Sequence, residues 1–308
     1  MSVAILFQYK EIGDWFKNLK ALLPDTKIEV YPDIENYEEV EFLVTWKPYQ
    51  NYINDFPNLK VVQSVGAGID HLLHTPISDQ VQVTRIVDPT LKQDMFEHVL
   101  SCVMAEMKNL LPYYKEQEQK VWNPQNYLSI NQTTICILGL GEIGRLVAEK
   151  LVLLGFNVKG WSNSAKEING VDAYFGENGL IEAVKNANFV VNILPLTETT
   201  RGILNVDLFN LFTIPTTLIN VGRGGHLKDD DLIEAINNGQ VKSAYLDVFH
   251  QEPLNEDHPF WLNKSIYITP HIASITNPET AILQVVDNYK RLKKNEVLQN
   301  IVDLKRGY

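Results

Sequence analysis

Short apolar runs rich in β-branched residues alternate along this chain with longer stretches in which apolar residues recur every three or four positions. The first run, Val3 to Phe7, reads as a buried strand, and Ile12, Trp15, Phe16, Leu19, Leu22 and Leu23 then line one face of a helix ended by Pro24. Further strands are predicted at Lys27 to Tyr31, Phe42 to Trp46, Val61 to Val65 and Val81 to Ile86. From Leu91 to about Leu111, residues such as Met95, Phe96, Val99, Val103 and Met107 recur at helical spacing over a wide face, which implies burial between domains or between subunits. Pro112 interrupts this pattern. The polar stretch from Tyr113 to Ile130, with scattered aromatics and little periodicity, reads as a connecting arm.

The second half repeats strand and helix. Thr134 to Leu138 is a buried strand, and Ile143, Leu146, Val147, Leu151 and Leu154 continue it as a helix. Strands follow at Asn157 to Trp161, Phe189 to Leu194, Thr217 to Val221, Ser243 to Asp247 and Ile266 to Thr269. Helices are expected near Leu180 to Asn186, near Asp207 to Leu211, and from Asp229 to Asn238, where Gly239 ends the pattern. Asn277-Pro278-Glu279 is a helix start, and Ile282, Val285, Val286, Tyr289 and Leu292 give that last helix one apolar face. Such alternation predicts an α/β fold with doubly wound parallel sheets.

The junction at residues 138–144, Leu-Gly-Leu-Gly-Glu-Ile-Gly, places three glycines where a strand turns into a helix. Gly139 allows the tight turn, Gly141 lets the backbone approach a pyrophosphate, and Gly144 lets the helix lie close to the strand. This context predicts a dinucleotide cradle. A ribose-binding acid is expected roughly 20 residues further on, at the end of the next strand. That place holds Ser162, and neither Asn163, Ser164 nor Lys166 nearby is acidic. Small hydroxyl and amide groups with a lysine can accept a 2′-phosphate, so NADPH is expected over NADH, the alternative being that Lys166 is a solvated loop charge and either cofactor serves.

Composition narrows the setting. The chain has 308 residues, 45% of them hydrophobic and 21% charged, enough for two domains with their own cores. A formal charge of -11 without a basic stripe disfavours nucleic acid as a partner. The amino terminus lacks a basic region before its short apolar run, so neither a signal peptide nor a membrane span is expected. Cys102 and Cys136 both sit in apolar patterns and read as core residues of a cytoplasmic protein. His71 and His74 are spaced as His-x-x-His without a third ligand, and read as surface histidines rather than a metal site.

In an open α/β sheet, ligands bind beyond the carboxyl ends of the strands. Three chemically active side chains emerge there: Arg223 in Gly222-Arg223-Gly224-Gly225, Glu252 before Pro253, and His271 after Pro270. Arg223 would fork onto the carboxylate and keto oxygen of a 2-oxo acid. His271 would donate the proton that a developing alkoxide needs, and Glu252 would favour its charged form. Glycines flanking Arg223 would let substrate and nicotinamide approach the backbone. Earlier in the chain, Gly66-Ala67-Gly68 offers backbone N–H groups to a carboxylate, or is a plain tight turn, and Trp46 and Lys47 would wall the same site.

These motifs in this order, Gly139 to Gly144, Asn220 to Gly225, Leu246 to Leu254 and Thr269 to Ala273, resemble the D-isomer-specific 2-hydroxyacid dehydrogenases over essentially the whole chain. Within that family the chain is most similar to the glyoxylate and hydroxypyruvate reductase A branch. The resemblance implies two Rossmann-like domains with an active-site cleft between them: residues 1–100 with 275–308 as a flavodoxin-like substrate domain, and residues 101–274 as the dinucleotide-binding domain. It also implies that Arg223, Glu252 and His271 form the catalytic trio. Trp46, Lys47, Gly66, Ala67 and Gly68 would hold the substrate. Asp247 would lie beside the nicotinamide end and Leu194 with Pro195 beside the adenosine. Glu142, Ile143, Val221, Gly222 and Ala273 complete the expected cofactor set, and a homodimer would form through the dinucleotide-binding domain. Two departures stand out: Glu142 replaces an arginine common in relatives, and Asn163 stands where NADPH-using relatives often carry one.

The expected reaction is hydride transfer from NADPH to a small 2-oxo acid such as glyoxylate or hydroxypyruvate. The alternatives are a non-catalytic, dinucleotide-sensing binding protein and a formate or phosphite dehydrogenase. A sensor has no need of the Arg223, Glu252 and His271 set, and formate oxidation has no alkoxide to protonate.

Overall fold

The computed structural model describes residues 2–8, 11–72 and 77–304. It contains two compact units, one of Met1–Leu91 with Thr276–Tyr308 and one of Lys92–Ile275.

In the first unit, strands β1 (Ser2–Phe7), β2 (Ile28–Val30), β3 (Val40–Trp46), β4 (Val61–Ser64) and β5 (Gln82–Thr84) form a parallel sheet in the order β2-β1-β3-β4-β5. This is the flavodoxin-like order. Alternate residues face opposite sides, and both sides are dry. Val3, Ile5, Phe42, Val44 and Val61 pack with Trp15 and Leu19 of α1 (Gly13–Leu22), whereas Ala4, Leu6, Leu43, Val62 and Val83 face the other layer. The last helix, which runs Pro278–Lys294, adds Ala281, Ile282, Val285 and Tyr289 to the first of these layers. Its Asn277 cap accepts from Glu279 N–H, and Asn288 reaches Gln63 Oε1 on β4 at 2.9 Å.

The second unit begins within α2 (Pro89–Met107), followed by α3 (Leu110–Glu118). Its strands are β6 (Thr134–Leu138), β7 (Asn157–Ser162), β8 (Val171–Phe175), β9 (Phe189–Asn192), β10 (Thr216–Asn220), β11 (Val241–Leu246) and β12 (Ile266–Ile268). They form one parallel sheet in the order β12-β11-β10-β9-β6-β7-β8. The order reverses at β6, which makes the space beyond the carboxyl ends of β6 and β9 the topological switch point. Helices α4 (Glu142–Leu153), α5 (Gly176–Val184), α6 (Val206–Phe209) and α7 (Asp229–Asn237) flank this sheet, and the last helix of the chain, Pro278–Lys294, is α8.

Three sequence expectations are corrected. The wide apolar face of α2 does not require a domain or subunit interface, because Met95, Phe96, Val99, Val103 and Met107 bury in the core of the second unit itself, with Ile135, Val147 and Leu151. The single helix to Leu111 is broken: Asn109 adopts φ 52°, and α3 restarts at Leu110. Pro112 is no obstacle there, since the amides of a first helical turn lack intrahelical acceptors. Only the stretch after α3, up to Ser129, runs without regular structure. Strand β8 was not anticipated, because its partly exposed edge position leaves no apolar run to read.

Candidate active site

The turn after β6 shows why each of its glycines is there. Gly139 has φ 109°, which side chains rarely adopt. A Cβ on Gly144 would collide with the Gly139 carbonyl oxygen, whereas one on Gly141 would meet nothing within 4 Å. Gly141 caps α4 without a side-chain hydrogen bond, so the turn leaves open space at the positive end of a twelve-residue helix. Such a cradle fits a dinucleotide pyrophosphate. Glu142 is the first residue of α4, and its Oε2 lies 2.6 Å from Lys92 Nζ on α2. Ile143 packs partly buried against the core.

At the end of β7, Ser162 is buried and donates its hydroxyl to the Ser164 carbonyl at 2.8 Å, shaping a turn that leaves Asn163, Ser164 and Lys166 exposed. Beyond β9, Leu194 is buried and Pro195 exposed.

The loop after β10 carries Arg223 and is held by buried polar residues that the sequence reading did not single out. Asn192, Asn220 and His226 are all 0% exposed. Asn192 Nδ2 donates to Asn220 Oδ1 at 2.9 Å, and Asn220 Nδ2 to the Arg223 carbonyl at 3.3 Å. The Arg223 N–H donates to His226 Nδ1 at 3.0 Å, which leaves the ring hydrogen on Nε2, 3.2 Å from the Pro195 carbonyl. His226 therefore ties the Arg223 loop to the Leu194-Pro195 loop. The only signal in the sequence was a histidine three residues after the arginine, and periodicity does not reveal its partners.

The glycines flanking Arg223 have a structural reason that the sequence did not offer. A Cβ on Gly222 would crowd Asn192 Nδ2 and the His226 ring, and one on Gly224 would collide with the Phe249 carbonyl. Both glycines make room for the protein's own chain. Val221 is buried, and Gly222 O accepts from Arg223 Nη1 at 2.8 Å.

His271 and Glu252 are brought together. Nδ1 of His271 lies 2.8 Å from Glu252 Oε2, with the two side chains 35% and 24% exposed, so both touch solvent. Glu252 Oε1 accepts from the Phe249 N–H at 3.2 Å. The His271 backbone is left-handed, with φ 55°, a conformation that costs free energy in a non-glycine residue. Asp247 holds it there. Its buried carboxylate accepts from Thr269 Oγ1 at 2.6 Å and from the N–H groups of Ile272 and Ala273 at 2.8 Å each. With both oxygens so engaged, Asp247 shapes the loop that carries His271. Burial lowers the pKa of His98 on α2, and the nearby Asp247 charge opposes that shift.

In the first unit, the Trp46 ring lies where a Cβ on Gly66 would be, so only glycine fits beneath it. Gly66 N–H donates to Ser64 Oγ at 3.2 Å, and Arg85 Nη1 donates to the Ala67 carbonyl at 3.4 Å. The Gly66 amide is thus already engaged, and a carboxylate would have to use those of Ala67 and Gly68. Lys47 has φ 44°. His71 is half-buried, not a surface residue, and its ring centroid lies 4.7 Å from that of Trp46. His74 lies outside the described residues. Among the described residues no three His, Cys, Asp or Glu side chains are placed to hold a metal ion, and no helix is long and apolar enough to cross a membrane.

A seven-stranded doubly wound sheet with a glycine cradle at its switch point defines a dinucleotide-binding domain, and comparison with known proteins gives its kind. The D-isomer specific 2-hydroxyacid dehydrogenase NAD binding domain matches residues 100–273, and the chain belongs to that family. Its relatives include a glyoxylate/hydroxypyruvate reductase A from Yersinia enterocolitica, 34% identical with all of both chains covered, and one from Serratia proteamaculans, 33% identical over the same extent. Among solved structures, a D-isomer specific 2-hydroxyacid dehydrogenase from Xanthobacter autotrophicus Py2 in complex with NADPH superposes with a TM-score of 0.94 at 33% identity, covering 100% of this chain and 99% of that one. An NADPH-dependent glyoxylate/hydroxypyruvate reductase from Sinorhizobium meliloti, in complex with NADP, gives 0.93 at 31% identity with both chains fully covered.

Proposed function

We propose that this protein is an NADPH-dependent reductase of small 2-oxo acids, glyoxylate and hydroxypyruvate first among them. The observation that carries the reading is the His271–Glu252 pair, 2.8 Å apart, beyond the carboxyl ends of the same sheet that carries the cradle and Arg223. The glycine turn fits a pyrophosphate, and Gly139, Gly141, Ile143, Gly144, Leu194, Pro195, Val221, Gly222, Asp247 and Ala273 are among the cofactor residues. The absence of an acid among Ser162, Asn163, Ser164 and Lys166 supports the 2′-phosphate, as do relatives solved with NADP or NADPH.

When bound, the reduced nicotinamide supplies the hydride. The chain's own residues do the rest. The Arg223 guanidinium binds the substrate carboxylate and polarises its keto oxygen. Glu252 holds Nδ1–H of His271, so Nε2 is the atom left to donate a proton to the oxygen that becomes the hydroxyl. Carbonyl carbon gains hydride and carbonyl oxygen gains that proton, giving a 2-hydroxy acid. Ala67 and Gly68 amides, with Trp46 and Lys47, are assigned to the substrate.

Loss of NADPH absorbance with a panel of 2-oxo acids tests this. The native chain is expected to turn over the smallest substrates, and His271→Ala to lose roughly 10²-fold or more in kcat. Unchanged turnover in that variant removes His271 from the mechanism, and no turnover of any 2-oxo acid by the native chain sinks the reading. The same proposal includes a homodimer formed through the second unit and a cytoplasmic location, the former supported by the exposed Trp122, Tyr127 and Leu128 of the arm after α3.

A further inference from the structure

Glu142 is the residue of the cradle that the dinucleotide reading does not absorb. A carboxylate at the first position of α4 is favourable for the helix, whose positive end it faces, and unfavourable for a pyrophosphate drawn to that same end. The structure pairs it. Lys92 Nζ lies 2.6 Å from Glu142 Oε2, with the lysine side chain 18% exposed and the glutamate 65% exposed. The other cation on this part of α4, Arg145, is engaged one turn further along, its Nε 2.8 Å from Glu149 Oε1. Lys92 is therefore an ammonium group brought from a different helix to the mouth of the cradle.

We infer that Lys92 is a binding residue for the dinucleotide in this chain: it cancels the Glu142 charge and presents a cation to the pyrophosphate. The inference rests on the cofactor reading above and deepens it. The two charged atoms lie 2.6 Å apart, so for an anion in the cradle their opposite charges nearly offset, and removal of either one exposes the other. Two substitutions on opposite sides of one ion pair should then act in opposite directions on the same ligand. An ion pair that served only to fix α4 would move both in the same direction, or neither.

The test is titration of the full-length native chain, Lys92→Met, Glu142→Gln and the double variant with NADP+, by calorimetry at low ionic strength. Circular dichroism on each variant confirms that it is folded. Lys92→Met is expected to weaken binding by about fivefold, Glu142→Gln to tighten it by about threefold, and the double variant to fall within about twofold of the native chain. Adenosine 2′-monophosphate lacks the pyrophosphate, and its affinity should stay unchanged throughout. Native binding of NADP+ with constants that the substitutions leave unmoved, or move in one direction, overturns the role of Lys92 alone. A native chain that binds neither NADP+ nor NADPH overturns the cofactor reading together with it.

Discussion

Arg223 and His271 are each held by buried polar residues, His226 with Asn220 at the one and Asp247 at the other. His226 spends both ring nitrogens on main chain, accepting from the Arg223 N–H and donating to the Pro195 carbonyl, while fully buried. His226→Phe would keep the volume but leave the Arg223 N–H unpaired, while the Pro195 carbonyl keeps Thr200 Oγ1 at 2.7 Å, at a cost of about 1–3 kcal/mol for the one group left unmade. The expected outcome is a lower melting temperature and a fall in kcat larger than the change in KM, since Arg223 loses its position. His226→Gln, which can accept and donate in the same two directions, should recover most of kcat, and equal kinetics for the two variants would contradict a positioning role. At this scale Arg223, Glu252 and His271 could be picked out as candidates because they follow strands. Their supports could not, since a buried Asn or His carries no pattern until its partners are seen. The structural need for the glycines beside Arg223 was hidden for the same reason, because what crowds them comes from β9 and from the loop after β11.

Helices and strands were readable where burial is one-sided or complete. The runs at Thr134–Leu138 and Thr216–Asn220 are buried on both faces, and α8 shows the cap, proline and acid expected of a helix start. Reading failed where position in the sheet decides, as at the exposed edge strand β8, and where one residue's backbone decides, as at Asn109. Element α2 carries a prediction of its own. His98 is held below its ordinary value of 6.5 by burial, with Asp247 partly opposing. Below that value the unfolded chain takes up a proton that the folded chain resists, so this group's contribution is intact above pH 6.5 and is lost as pH falls through its folded pKa. Melting temperature should therefore drop on acidification from about pH 7.5 to about 5.5, and drop less in His98→Gln. Identical pH profiles for the two proteins would assign the acid sensitivity to other groups.

Across the whole molecule, the most conspicuous unexplained surface is the arm after α3. Trp122 is 94% exposed, and Val121, Tyr127 and Leu128 of the same segment are exposed as well. Apolar side chains concentrated on one segment, next to an α2 face already satisfied by its own core, favour a second copy of this chain as the cover. Light scattering coupled to gel filtration should give twice the 35.1 kDa chain mass, and Trp122→Glu should shift the population toward monomer. A monomeric native protein at micromolar concentration would end the homodimer proposal.

The sequence by itself determined the α/β character, the place of the glycine turn and the position of Arg223, Glu252 and His271 beyond strands, because these follow from periodicity and from single residues at strand ends. Only the tertiary structure decided which carboxylate reaches which imidazole, how His271 is kept left-handed by Asp247, and that Glu142 meets a lysine 50 residues away. Such pairings depend on strand order and helix placement, and no local stretch of chain encodes them.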